Sequence, residues 1–148
     1  MTAGFAITML VAGGLWAGGV LSIGSERSGA WRLASSVNFR RDFAHTIRRA
    51  DKLQPALLVV TTLSAVGFAF ETQGLPRVFA ATAAVGLVAV LVGSAATLVR
   101  IQRRIVSQQP ELATAEVERL KEIWIGGHLA RTAAGIACFA LLVAAAVV

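Results

Sequence analysis

The sequence is poor in charge, in cysteine and in histidine, and each shortage excludes a class of protein. Only 15% of its 148 residues are charged and 56% are apolar, whereas an average soluble domain is about 25% charged and about 45–50% apolar. The chain has one cysteine, Cys138, and two histidines, which excludes a secreted disulfide scaffold and a zinc module. The composition is too apolar for a protein that folds in water.

The apolar residues are gathered in four long runs, in which Arg131 is the only ionic side chain. The runs are Met1–Ser25, Leu53–Phe70, Val78–Val99 and Ile123–Val148. About 20 helical residues cross the hydrocarbon core, where only a helix satisfies its own backbone hydrogen bonds. We therefore expect four transmembrane helices, at about residues 3–23, 53–71, 78–99 and 123–147.

The expected fold is all-α, an integral membrane four-helix bundle formed by a single domain over residues 1–148. No internal repeat, linker or low-complexity tract divides the chain. A cleavable signal peptide is the alternative for the first run, but no basic segment precedes that run and no small-x-small cleavage site follows it. We therefore expect the first run to be a span.

The basic residues predict the orientation of the four spans. Twelve lysines and arginines lie between the first and second runs or between the third and fourth, and only Arg77 lies between the second and third. Because positive residues stay on the cytoplasmic side, both long basic loops are expected in the cytoplasm and both termini outside the cell's inner membrane. The net charge of +6 then reflects insertion and attraction to anionic lipid, and not a nucleic-acid partner.

The first long loop contains an amphipathic segment at about residues 38–52. Phe39, Phe43 and Ile47 recur every four residues, and basic side chains occupy much of the remaining circumference. This pattern is typical of a helix that lies on lipid headgroups. Pro55, near the start of the second run, predicts a kink or a restart of the helix there.

Small residues recur at four-residue spacing in the first and fourth runs. They are Gly14, Gly18 and Ser22 in the first run, and Gly126, Ala130, Ala134 and Cys138 in the fourth. Because lipid tails are as apolar as leucine, helices associate in a membrane through close fit, which small residues permit. We expect both stripes to face neighbouring helices of the same bundle. The alternative is a homo-oligomer formed through the first stripe.

The polar residues with the most information open the fourth run. Lys121, Trp124, His128 and Arg131 follow one another at spacings of 3, 4 and 3 residues and so share one helix face. Ionic groups at or inside the membrane boundary are costly, which favours a functional site facing the bundle interior. The alternative is that His128 and Arg131 reach the headgroups as interfacial anchors beside Trp124. His45, in the amphipathic segment, is either a second functional histidine or a solvated residue.

In these features the chain resembles the anthrone-oxygenase-like family of small four-span membrane proteins, most of which have no assigned activity. The similarity covers nearly the whole chain, and its most specific part is the Trp-His-Arg-Thr run. The matching stretches are Ala17-Gly18-Gly19, Arg48-Arg49-Ala50 running to Pro55, Ile101-Gln102-Arg103-Arg104-Ile105, and Trp124-x3-His128-x2-Arg131-Thr132. After the third span the family commonly has Pro-x-Asn, where this sequence has Arg100 and Gln102.

The resemblance implies a membrane-embedded oxygenase that acts on a hydrophobic aromatic substrate, such as an anthrone-like polyketide, without a cofactor. Such chemistry needs a base, a cation for the developing oxyanion and an apolar slot. His128 is the expected base and Arg131 the oxyanion partner, with His45 as a second proton carrier. Trp124 and Gln102 are the expected substrate-binding residues.

Two other functions fit the sequence. One is a non-catalytic membrane module that docks a partner helix or anionic lipid through its small-residue stripes and basic loops. The other is a metal or haem site that joins His45 to His128. Glu118 and Glu122, four residues apart, could supply carboxylate ligands to a metal beside His128. A four-residue spacing of charged residues is also typical of a solvated helix.

Overall fold

The computed structural model describes residues 1–107 and 112–148. The side chains of Asp51 and Lys52, at the end of the predicted amphipathic segment, lie outside the description. Four helices of 32 to 36 residues make up nearly all of the described chain: α1 (Thr2–Leu33), α2 (Ser36–Glu71), α3 (Leu75–Val106) and α4 (Thr114–Val147). All four are long and apolar enough to span a membrane, and the described residues include no strand.

The four helices form a closed bundle with an apolar exterior. Each helix packs on the next along the chain, and α1 also packs on α4. Large apolar side chains such as Ile7, Leu15, Leu63 and Val85 are exposed around the outside, where lipid would cover them at no cost. The prediction of an all-α chain with four candidate spans is thus confirmed, and the chain fits a multi-pass membrane protein.

The helix ends follow from local chemistry. The Ser35 hydroxyl accepts a hydrogen bond from the Asn38 backbone N–H at 3.4 Å, which caps the start of α2. Between α2 and α3, Gly74 adopts a φ of +68°, a conformation that costs glycine little. A proline in the first turn of α3 lacks an N–H that would have no helical partner there. These residues hold α2 and α3 antiparallel across a short turn.

The predicted amphipathic segment and the second span are one helix. α2 continues through Pro55, so the helix does not restart there. Its 36 residues reach about 54 Å at 1.5 Å per residue, against about 30 Å of hydrocarbon core. Proline removes one helical hydrogen bond, and α2 packs on both α1 and α3. α2 therefore extends well beyond the core.

Aromatic residues fill the end of the bundle that carries the basic residues. We call Trp31, Phe39, Phe43 and Trp124 the aromatic cluster; their ring centroids lie 4.8–5.8 Å apart, mostly edge to face. Phe39, Phe43 and Ile47 are buried, so the face expected on lipid headgroups instead packs inside the protein. Trp31 and Trp124 supply the protein surface that covers it.

Few residues of the small-residue stripes lie at helix contacts: Gly14, where an added Cβ would lie 3.4 Å from Cζ of Phe139, is one, and Cys138 is another. Gly18, Gly126, Ala130 and Ala134 are exposed, because a four-residue step turns about 40° too far around the helix each time. Only the last member of the second stripe, Cys138, is buried. The closest approaches occur at other glycines, where an added Cβ would collide with a neighbouring side chain: Gly67 with Phe5, Gly86 with Cys138, Gly127 with Leu98 and Gly135 with Trp16.

Candidate functional site

His128 is fully buried between α4 and α1, and both of its ring nitrogens make hydrogen bonds. Nε2 lies 3.1 Å from the Val20 carbonyl oxygen, and Nδ1 lies 3.0 Å from Nη2 of Arg131. A carbonyl oxygen only accepts and a guanidinium only donates. Nε2 must therefore carry the proton, and Nδ1 presents its lone pair to Arg131.

The Val20 carbonyl, which fixes this tautomer, lies just before a widened turn of α1. Residues Ile23–Arg27 form a π turn within the helix, a feature frequent at functional sites. The Thr132 hydroxyl lies 3.4 Å from the same carbonyl and 2.8 Å from the His128 carbonyl. Two polar side chains of α4 therefore converge on one backbone oxygen of α1, and this holds the imidazole in place.

Trp124 forms one side of the imidazole's surroundings. Its ring stacks on that of His128, with centroids 4.8 Å apart and an angle of 10° between the planes. The indole ring is buried, and its Nε1–H has no hydrogen-bond partner among the described residues. Buried donors are usually paired, so this N–H is a candidate donor to a ligand.

Arg131 connects α4 to α2. Besides its contact with His128, its Nη2 lies 3.4 Å from Oε1 of Gln54. The side chain is half-buried. It is held between an imidazole and an amide in the interior.

A cavity of about 190 Å³ lies beside these residues, and all four helices contribute to its wall. Most of the wall is apolar. Its side chains with polar atoms are Trp16, Gln54, Ser94, Gln102, Trp124, His128 and Arg131. Four of the five residues predicted for the site, His128, Arg131, Trp124 and Gln102, therefore line one cavity.

The structure does not bring His45 to this cavity. His45 is exposed on α2 and is not part of the cavity wall. Phe43 and Ile47 are the buried residues on either side of it. The inward face of α2 therefore excludes His45.

The acidic residues near the fourth span have other partners. Glu118 pairs with Lys121 at 2.5 Å and Glu122 with Arg32 at 3.4 Å. Lys121 is 2% exposed; its Nζ lies 3.4 Å from the Ala34 carbonyl and 5.6 Å from the Phe39 ring centroid. In the part of the chain that the structure describes, no three His, Cys, Asp or Glu side chains are grouped to hold a metal.

Sequence reasoning missed two residues of the site. Gln54 is an amide at the start of an otherwise apolar run, and a polar group in a span is a recognisable signal. Ser94 begins the second π turn, Ser94–Leu98 of α3, which no pattern in the sequence announces. The sequence could not predict the role of the Val20 carbonyl either, because a residue of any type has a backbone carbonyl at that position.

The arrangement can bind and stabilise an oxyanion in an apolar setting. The guanidinium of Arg131 and the indole N–H of Trp124 are donors, and the Nδ1 lone pair of His128 is a base once Arg131 engages another acceptor. Comparison with models of protein families, with curated proteins and with solved structures gives no match.

Proposed function

We propose that this chain is a cofactor-independent oxygenase of the inner membrane that acts on a hydrophobic, weakly acidic aromatic molecule. The observation that carries the proposal is the hydrogen-bonded pair of His128 and Arg131, 3.0 Å apart, in the wall of an apolar cavity. The twelve basic residues of the segments Arg27–Lys52 and Arg100–Lys121 support an orientation with those segments at the cytoplasmic side and the termini outside.

In the first step, substrate binding frees the base. An acidic hydroxyl, or the enol of an aryl ketone, approaches Arg131 and becomes its acceptor, because a guanidinium binds an oxyanion more strongly than a neutral ring nitrogen. Nδ1 of His128 then accepts the proton. The Val20 carbonyl stabilises the resulting imidazolium through Nε2–H. The low dielectric of the site strengthens each of these interactions.

In the second step, the extended carbanion of an aryl ketone, such as that of an anthrone methylene, transfers electrons to oxygen and combines with it. The peroxide anion takes a proton from the imidazolium, and elimination of water leaves a new carbonyl. One oxygen atom ends in that carbonyl and the other in water, which also receives the two methylene hydrogens. The substrate is oxidised by four electrons and oxygen is reduced by four. Trp124 supplies a stacking surface and its Nε1–H to a substrate oxygen.

The test is oxygen consumption by the purified protein with anthrone, followed together with the absorbance of anthraquinone. We expect Arg131→Ala and His128→Ala each to lower the rate about 10²–10³-fold, the usual cost of losing an oxyanion donor or a general base. Arg77→Ala is the matched control, since Arg77 donates to the Ala69 carbonyl beside the α2–α3 turn. Its rate should stay within about twofold of the original.

Wild-type rates in both site variants would contradict the proposal. If the unchanged protein consumes no oxygen and native mass spectrometry finds a stable partner helix, the docking module becomes the better function. The two outcomes differ in oligomeric mass as well as in rate.

A further inference from the structure

A second space, a cleft of about 480 Å³, runs between α3 and α4. Small residues line it on both sides: Gly86, Ala89 and Gly93 from α3, and Gly127, Ala130 and Ala134 from α4. Ala89, Gly93, Ala130 and Ala134 are exposed, so the cleft opens on the outer surface of the two candidate spans. In a membrane this surface faces lipid.

The cleft adjoins the cavity. Ser94, Leu98 and Arg131 line both spaces, and Ser94 and Leu98 are the first and last residues of the π turn of α3. The Leu98 side chain occupies the room left by Gly127, where an added Cβ would lie 2.6 Å from Leu98 Cδ2. Leu98 therefore lies where the cleft and the cavity meet, and Arg131 lines both.

Size and charge indicate what the two spaces hold together. The cavity of about 190 Å³ is smaller than most ligand sites, which have about 300–1,000 Å³. The cavity and the cleft together have a volume within that range. Among the side chains that the structure describes, Arg131 is the only ionic one that lines either space. A ligand that fits both has one acidic group at one end of an apolar body.

We infer that the ligand is an elongated amphiphile that enters sideways from the bilayer between α3 and α4. Its acidic hydroxyl binds Arg131 in the cavity, and its apolar body lies along the cleft. This inference rests on the proposed function, because it assigns Arg131 the same oxyanion.

The experiment uses two probes that share a head and differ in the body, 4-ethylphenol and 4-dodecylphenol. Each is titrated against the full chain in detergent while the midpoint of thermal unfolding is measured, since a ligand that binds the folded state raises it. We expect 4-dodecylphenol to bind the unchanged protein at least about tenfold more tightly than 4-ethylphenol, from the burial of its longer body.

Ala134→Trp fills the cleft, and we expect it to remove this advantage while leaving 4-ethylphenol binding unchanged. The matched control is Ala133→Trp, on the neighbouring exposed position of α4 and outside the cleft. Ala89→Trp fills the cleft from α3 if the first variant does not fold. Full retention of the advantage in a folded cleft variant would overturn the inference.

Arg131→Ala separates this inference from the proposed function. If Arg131→Ala no longer binds either phenol but both cleft variants bind both phenols normally, the cleft inference fails and the site remains. If Arg131→Ala binds both phenols normally, the proposed site fails and the inference with it. Equal binding of the two phenols to the unchanged protein would mean that a lipid chain fills the cleft, which also overturns the inference.

Discussion

The two tryptophans of the aromatic cluster are buried alike but differ in one hydrogen bond. Trp31 is 1% exposed and Trp124 is 2% exposed. Nε1 of Trp31 donates to Oδ2 of Asp42 at 2.7 Å, and Asp42 also pairs with Arg27 at 3.4 Å. The indole N–H of Trp124 has no partner among the described residues. The two rings therefore allow the contribution of one hydrogen bond to be compared within a single cluster.

We expect Trp31→Phe to lower the free energy of unfolding by about 1–2 kcal/mol more than Trp124→Phe does, because only the first change removes a hydrogen bond, the one that Trp31 donates to the Asp42 carboxylate. Both changes remove a similar volume from the same cluster. The measurement is thermal unfolding in detergent, followed by circular dichroism. Equal losses would show that the indole N–H of Trp124 contributes to stability after all.

Part of the site could be predicted from residue spacing. The intervals from Trp124 to His128 and Arg131 predict one helix face, and all three residues line the cavity. Lys121 shares this face, but it lies about 15 Å along the helix axis from Arg131 at 1.5 Å per residue. Lys121 therefore lies beside the aromatic cluster, against Phe39, and does not line the cavity. The roles of the ring nitrogens depend on a carbonyl of α1, and no local pattern of α4 could reveal them.

Helix spacing in the bundle depends on a few glycines that receive a neighbouring side chain. At Gly86, an added Cβ would lie 2.5 Å from Sγ of Cys138 and would meet no other atom within 4 Å. The thiol alone thus occupies the space of the missing Cβ. Gly93, seven residues along the same helix, has nothing within 4 Å of its Cβ position.

We expect Gly86→Ala to destabilise the bundle by about 1–3 kcal/mol through overpacking. The double variant with Cys138→Ala should recover most of this loss, because the colliding sulfur is gone. Gly93→Ala is the control and should raise stability by about 0.5–1 kcal/mol, the helix preference of alanine over glycine. If the double variant is no more stable than Gly86→Ala, the Cys138 sulfur is not the atom that the added methyl group displaces.

At the level of helices, apolar length was a sound guide and small-residue spacing was not. A run of about 20 apolar residues has few structural alternatives in lipid, so four long helices follow from composition. A stripe repeated every four residues drifts around the helix, which is why Gly126 is exposed while Cys138 is buried. The contacts instead depend on which bulky side chain faces which glycine, as with Trp16 and Gly135.

The four helices are longer than the hydrocarbon core of a bilayer is thick, and we propose that the excess lies at the end that carries the basic residues. All four helices have at least 32 residues, whereas about 20 cross the hydrocarbon core. The basic residues and the aromatic cluster occupy the end that contains the α1–α2 connection. We interpret this end as a helical head on the cytoplasmic side.

A topology measurement tests this orientation. Alkaline phosphatase fused after Val148 should be active, because it folds only outside the cytoplasm, and green fluorescent protein fused there should be dark. Fusions after Ser107 should give the opposite result. Replacing the basic residues between Arg27 and Lys52 with glutamine should weaken the preference, as expected if positive charge sets the orientation. Fluorescence at the C-terminus of the unchanged chain would reverse the assignment.

The unbroken course of α2 links the head to the lipid around it. A helix in a thinner membrane tilts to keep its apolar stretch covered, and α2 is one helix from Ser36 to Glu71, with Pro55 inside it. A tilt of α2 would move Gln54 and Pro55, which lie partway along the helix and form part of the cavity wall. Membrane thickness would thereby change the shape of the cavity that Arg131 lines.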